Sequence, residues 1–221
     1  PPRSTPKPSS AASDVYKRQV HVVSSVKFAK KAEMAGVDAL VAEGFEAGGH
    51  NGREETTTLV LVPAVAKAVS IPVIAAGGIG NGQAMAACMA LGAEAVQVGT
   101  RFVASAESSA HTNFKRYLLE AKEGDTELVM KQLQPVRLLK NDFYKEVKAA
   151  ELRGAKKEEL KKILGRARAK KGMSQGELNE GELEIGQISG YLNNILPAAE
   201  IVANMMQECI ETIKRTHRSL S

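Results

Sequence analysis

The loop Glu43-Gly-Phe-Glu-Ala-Gly-Gly-His-Asn-Gly52 holds two carboxylates and an imidazole within one glycine-rich turn: Glu43, Glu46 and His50. An imidazole titrates at about 6.5 when unperturbed, so His50 can move a proton at neutral pH wherever a substrate reaches it. The glycines beside it would let a flat ligand come close to the backbone. A solvated loop histidine bonded to backbone is the plainer reading of the same residue. Two further turns, Ala76-Gly-Gly-Ile-Gly-Asn-Gly82 and Gly99-Thr-Arg101, each follow an apolar run and precede a helical pattern. Bare backbone N–H groups at such a turn, together with the positive end of a helix dipole, suit a phosphate. Thr100 can add a hydroxyl. Arg101 can pair with that phosphate or with a carboxylate of the scaffold, and the sequence leaves both open.

These residues need a scaffold of parallel strands. Residues 20–23, 38–44, 71–76 and 94–98 read as strands, and residues 26–35, 56–69 and 82–91 as helices. Ser24 or Ser25 and Asn81 are suited to cap the first and third helices, and Gly36 and Gly92 to end them. The order βαβαβαβ with short connections and near-continuous apolar strands predicts a parallel sheet buried on both faces. In a (β/α)8 barrel, loops after the strands carry the chemistry, and phosphate commonly sits after the last two. Such a barrel takes eight strands and about 250 residues. The chain has 221 residues, and its barrel-like part ends near residue 104. The fold class is therefore α/β, the C-terminal half of a TIM (β/α)8 barrel with a helical insertion and a C-terminal helix. Half a barrel leaves two sheet edges unpaired, which predicts aggregation or a self-association that closes the barrel.

Residues 105–184 read as a helical, charged region covering the substrate, and residues 185–221 as a turn and an amphipathic helix packed back on the barrel. Residues 136–172 carry 13 Lys and Arg against 5 Asp and Glu. A solvated helical face is the default for such a run, and docking of an acidic partner is the alternative. Residues 1–19, rich in Pro and Ser, read as disordered. Their end, Asp14-Val-Tyr-Lys-Arg-Gln19, resembles an in-frame translation of a library-preparation adapter. On that reading the natural gene begins upstream.

Composition excludes several classes. Hydrophobic residues are 43% of the chain, enough for a core, while aromatics are 4% and Trp is absent, which disfavours a base-stacking nucleic-acid surface. Cys88 and Cys209 are too few and too far apart for a disulfide framework, and fit a reducing, cytoplasmic setting. Cys88 lies in an Ala/Met-rich helix and reads as core. His21 reads as structural, and His111 and His217 as exposed. No histidine or cysteine spacing suggests a metal site, and no apolar run is long enough for a membrane span.

In this order and spacing, EGFEAGGHNG, IPVIAAGGIGNG and AVQVGTRF resemble the nitronate monooxygenase family, formerly 2-nitropropane dioxygenases. They are similar too to the FMN-dependent enoyl-acyl-carrier-protein reductases. The resemblance implies a TIM barrel with FMN at the strand ends. It implies an active-site role for His50. Gly77, Gly78, Gly99 and Thr100 match the FMN-phosphate turns, Glu43 and Gly48 match residues near the flavin, and Gln187 matches a C-terminal motif that returns to the site. The family's N-terminal motifs have no counterpart here.

The resemblance implies two reactions. As a monooxygenase, a nitronate would donate an electron to FMN, O2 would be reduced, and the product would collapse to a carbonyl compound and nitrite. His50 would take the α-proton of a neutral nitroalkane or hydrogen-bond the nitro oxygens. As a reductase, NAD(P)H would reduce FMN, which passes hydride to an enoyl thioester, with acyl carrier protein as partner. The glycine turns alone would serve equally a flavin-free barrel that handles a sugar phosphate.

Overall fold

The computed structural model describes residues 17–220. Most of the segment read as adapter-derived, residues 1–16, lies outside them. Gln19 already belongs to the fold: its carbonyl accepts from the amides of Asp38 and Ala39, and its own amide donates to Asp38.

Four parallel strands form the main sheet in the order β1-β2-β4-β5: β1 Val20–Val23, β2 Ala39–Glu43, β4 Val73–Ala76 and β5 Ala95–Gln97. Helices α1 (Val26–Met34), α2 (Thr58–Ala66) and α3 (Gly82–Ala90) connect them. Capping works as the sequence suggests: Ser25 accepts from the Phe28 amide and Asn81 from the Ala84 amide. Leu40, Ala42, Val73 and Ala75 face the helices and pack with Leu61, Val62 and Val65 of α2. Burying each such valine or leucine is worth about 1.5–3 kcal/mol. Val22, Val41, Ile74 and Ala95 lie side by side in register on the opposite face, the inner face of a half-barrel. In that row Val41 is fully buried, whereas Val22 and Ala95 at the two edges are exposed.

The region after the barrel is not purely helical. Short helices α4 (Thr100–Val103) and α5 (Thr112–Glu120) lead into strands β6 (Thr126–Val129) and β7 (Val136–Leu139). With β3 (Gly49–His50), they make an antiparallel sheet in the order β3-β7-β6. Every residue of β7 is buried, including Arg137, so the start of the basic run is core rather than solvated face. The Arg137 guanidinium donates to the Phe45 carbonyl from Nε (3.1 Å) and Nη2 (2.8 Å) and stacks 5.0 Å from the Phe45 ring. The rest of the run forms α6 (Asp142–Leu152) and α7 (Lys157–Leu164), followed by a π turn over Lys170–Ser174. A 3-10 turn, Gln187–Tyr191, precedes the long helix α8 (Ala198–Leu220), which packs against α3 through Ile201, Met205 and Cys209. Glu208 of α8 accepts from the Gly82 amide at 2.8 Å, pinning α8 to the first turn of α3. Cys88 is core, as read from the sequence. Burial, with the Glu46 charge adding to it, pushes its thiol up to about 11.

Candidate active site

At the C-terminal ends of β2, β4 and β5 lies a cavity of about 380 Å3. Glu43, Glu46 and Gly48 form one wall, Gly77 and Gly78 a second, and Gly99 and Thr100 a third. Six of the residues singled out from the sequence as cofactor-binding therefore meet at one place: Glu43, Gly48, Gly77, Gly78, Gly99 and Thr100. The seventh, Gln187, lines a neighbouring groove with Phe45 and Arg137, while its amide donates to the Glu46 carbonyl at 3.0 Å. His50 lines neither. It is exposed, paired with Val136, and faces a groove shared with Met130, Lys157, Lys161 and Glu182.

The turns are built for close backbone approach. Gly77 and Gly78 have φ of +93° and +69°, a backbone conformation that side chains rarely adopt, and both line the cavity. Among the described residues the amides of Gly78 and Gly99 have no hydrogen-bond partner. A Cβ at Gly99 would meet nothing within 4 Å, so open space lies in front of it. Thr100 Oγ1 accepts from the Gly186 amide at 3.0 Å, which leaves the hydroxyl proton to donate. Unpaired amides, a free hydroxyl proton and unfilled space are what the phosphate of a flavin nucleotide requires, and these residues fit that group.

Glu46 does not extend toward a ligand. Both its oxygens lie 3.0 Å from the Thr58 amide, the first of α2, and occupy the helix end that Thr57 leaves uncapped. The Thr58 hydroxyl reaches Glu46 at 3.1 Å and the Gly77 carbonyl at 2.8 Å, and donates to one at a time. Thr58 thus couples the His50 loop to the β4 turn. On the other side Gly48 lies so close to Ile185 that a Cβ there would fall 2.4 Å from the Ile185 carbonyl carbon.

The Glu43 carboxyl stands at the cavity wall without a hydrogen-bond partner among the described residues, and burial raises it above the ordinary value. Arg101 takes neither role left open for it. It is buried, and donates to the Asn194 carbonyl (3.1 Å) and the Asn194 side-chain oxygen (2.9 Å), away from the cradle.

Glu182 and Glu184 escaped the sequence reading. They flank Leu183 in the extended run Glu182-Leu-Glu-Ile185, where Leu183 and Ile185 are buried. That alternation of period two was the available signal. Glu184 lines the cradle cavity. Glu182 is buried beside His50's groove, and burial first, then the Glu184 charge, pushes its carboxyl up to about 7. The cradle lining holds three carboxylates, Glu43, Glu46 and Glu184, and no Lys or Arg. An anion there is held by backbone and hydroxyl, not by an ion pair.

The sequence pattern of the nitronate monooxygenase family matches residues 4–208, beginning within the segment read as adapter-derived. A nitronate monooxygenase of Paraburkholderia phytofirmans is 36% identical over 197 residues, 85% of this chain and 53% of the relative. FabK from Thermotoga maritima is 39% identical with a TM-score of 0.85, covering 90% of this chain and 63% of that one. A nitroalkane oxidase from Streptomyces ansochromogenes is 33% identical with a TM-score of 0.72, covering 91% and 59%. The chain spans about half the length of the curated relative. The family pattern covers most of the chain, and the fold and the glycine turns agree with it: the chain belongs to the nitronate monooxygenase family.

Proposed function

We propose that this chain carries the phosphate-gripping half of an FMN-dependent oxidoreductase, a cytoplasmic nitronate monooxygenase that converts alkyl nitronates and O2 to carbonyl compound and nitrite. The observation that carries the reading is the cradle itself: free amides at Gly78 and Gly99, the Thr100 hydroxyl, and open space in front of Gly99. FMN, when bound, supplies the redox chemistry. The protein's part is to hold it. Gly77, Gly78, Gly99 and Thr100 take the phosphate, and Glu43 and Gly48 stand at the wall beside them. His50, two residues beyond Gly48 and exposed, takes the α-proton from a neutral nitroalkane or hydrogen-bonds the nitro oxygens. Glu182 lines His50's groove and is the carboxyl there that could receive that proton.

The second reading, an enoyl-acyl-carrier-protein reductase using NAD(P)H, draws on the likeness to FabK and on the excess of Lys and Arg over residues 136–172. Assay of the chain joined to the N-terminal part of a relative that it does not span separates the two. Nitrite release from a nitronate with O2 supports the monooxygenase. NAD(P)H-dependent reduction of an enoyl thioester, with KM raised by Lys156→Glu and Lys157→Glu, would replace it with the reductase.

A further inference from the structure

Arg101 stands one residue past Thr100, yet the cradle does not use it. Its side chain crosses to the C-terminal turn and is only 6% exposed. A guanidinium carries five N–H donors. Two of them are used here, both by neutral acceptors of one residue: the Asn194 carbonyl at Nη1 and the Asn194 side-chain oxygen at Nη2. Among the described residues Arg101 has no ion-pair partner. Arg137, the other buried arginine among them, differs, because the charges of Glu46, Glu55 and Glu127 act on it. On Arg101 burial acts without such a charge, and lowers its pKa from the ordinary arginine value. A buried charge that lacks a counter-charge is costly to keep.

The guanidinium lines a cavity of about 220 Å3 between the first turn of α3 and the first half of α8. These two helices pack on each other within this chain, and the cavity lies on the β4 side of β5 rather than at its open edge. It shares no lining residue with the cradle. Asn81, Asn193, Asn194 and Asn204 line it beside Arg101, each with an NH2 group. The Asn81 oxygen accepts from the Ala84 amide at 2.9 Å and the Asn194 oxygen accepts from Arg101, which leaves the NH2 groups of both to donate. Glu208 is the one carboxylate in the lining. Its Oε2 accepts from the Gly82 amide at 2.8 Å, at the positive end of α3, so its charge is matched there. The charge of Arg101 is not.

We propose that this cavity is a second oxyanion site, separate from the cradle, which takes the phosphate or carboxylate group of a small ligand. A guanidinium with donors to spare presents the forked geometry that such groups accept, and the asparagine NH2 groups add neutral donors around it. The anion supplies the counter-charge that Arg101 lacks. At about 30 Å3 per water, the cavity has room for a phosphate group and several waters. Because Asn194 holds Arg101 from the C-terminal turn, an occupied site ties that turn to α3 and α8. None of this depends on the flavin or on which reaction the family member performs.

Inorganic phosphate is the probe, and Gly99→Ala is the background, because its methyl enters the phosphate space of the cradle. Calorimetric titration of the 221-residue Gly99→Ala chain should show one phosphate per chain, with a dissociation constant below about 1 mM. Saturating phosphate should also raise the melting temperature. Arg101→Gln removes the anchor together with its Asn194 contacts, so Asn204→Asp is the sharper variant: it leaves both in place and sets a carboxylate in the cavity. It should raise the melting temperature in phosphate-free buffer, by building in the counter-charge, and weaken phosphate binding at least tenfold. Acetate then separates the two ligand sources. Displacement of phosphate by acetate at a comparable concentration assigns the site to carboxylates, and failure to displace it assigns the site to phosphates. No binding up to about 10 mM phosphate, or binding that Asn204→Asp leaves unchanged, would overturn the proposal. With the cradle blocked throughout, the FMN result in either direction leaves this test unaffected.

Discussion

Removing the Glu46 carboxylate leaves the Thr58 amide at the start of α2 with no acceptor and uncouples the His50 loop from the β4 turn. Glu46→Ala should therefore cost about 1–2 kcal/mol of stability, the range for a lost helix cap. Chemical denaturation measures it, and an unchanged midpoint would show that Glu46 is not a cap. Glu182 gives a second test, through pH. Its carboxyl titrates near 7 when folded and at the ordinary 4.5 when unfolded. The folded state binds the proton more tightly, so the group costs nothing below about pH 4.5. The cost grows as pH rises through the window and is complete above about 7. Glu182→Gln should accordingly raise stability at pH 8, by at most about 3 kcal/mol, and leave it unchanged at pH 4. Thermal melts at the two pH values decide this, and equal shifts at both would refute the assignment. Residues of this kind were hard to read from the sequence. Glu46 looked like a ligand because it sits between Glu43 and His50, but its role is set by Thr58, twelve residues away. Arg101, following Gly99-Thr100, could pair with a phosphate or with a carboxylate of the scaffold, but Asn194, brought back by the C-terminal turn, claims it.

The glycine turns separate fold from ligand. At Gly99 the backbone is right-handed and a Cβ meets nothing within 4 Å, so Gly99→Ala should leave the melting temperature unchanged while its methyl enters the phosphate space. At Gly48 a Cβ would strike the Ile185 backbone, so Gly48→Ala should cost about 1–3 kcal/mol. Comparing the two melts checks both. The sequence made this cradle legible because each turn is local: a strand, a glycine turn and a capped helix lie within a dozen residues. The second sheet was not legible. β3 is two residues in a loop of glycines, β7 lies inside a basic run, and they meet across more than eighty residues. Nothing local marks a strand whose partner is that distant. The charge count of residues 136–172 also concealed that Arg137 is internal, its guanidinium held by the Phe45 carbonyl and ring.

Across the whole molecule, parallel order and helix alternation were legible from periodicity, and with them the half-barrel. The two unpaired edges of that half-barrel were legible too, from the count of strands; which apolar residues lie exposed beside them was not, because an apolar residue reads as core whether or not it is covered. The proposed function requires the chain to grip a flavin nucleotide through the Gly77–Gly78 and Gly99–Thr100 turns. FMN titration of the 221-residue chain, followed by gel filtration and absorbance, tests it most directly, with Gly99→Ala as the matched variant. Flavin bands should elute with the chain, and Gly99→Ala should lose at least tenfold in affinity without loss of stability. A chain that stays colourless, or that binds FMN equally with alanine at position 99, would contradict it and favour a flavin-free phosphate-binding barrel.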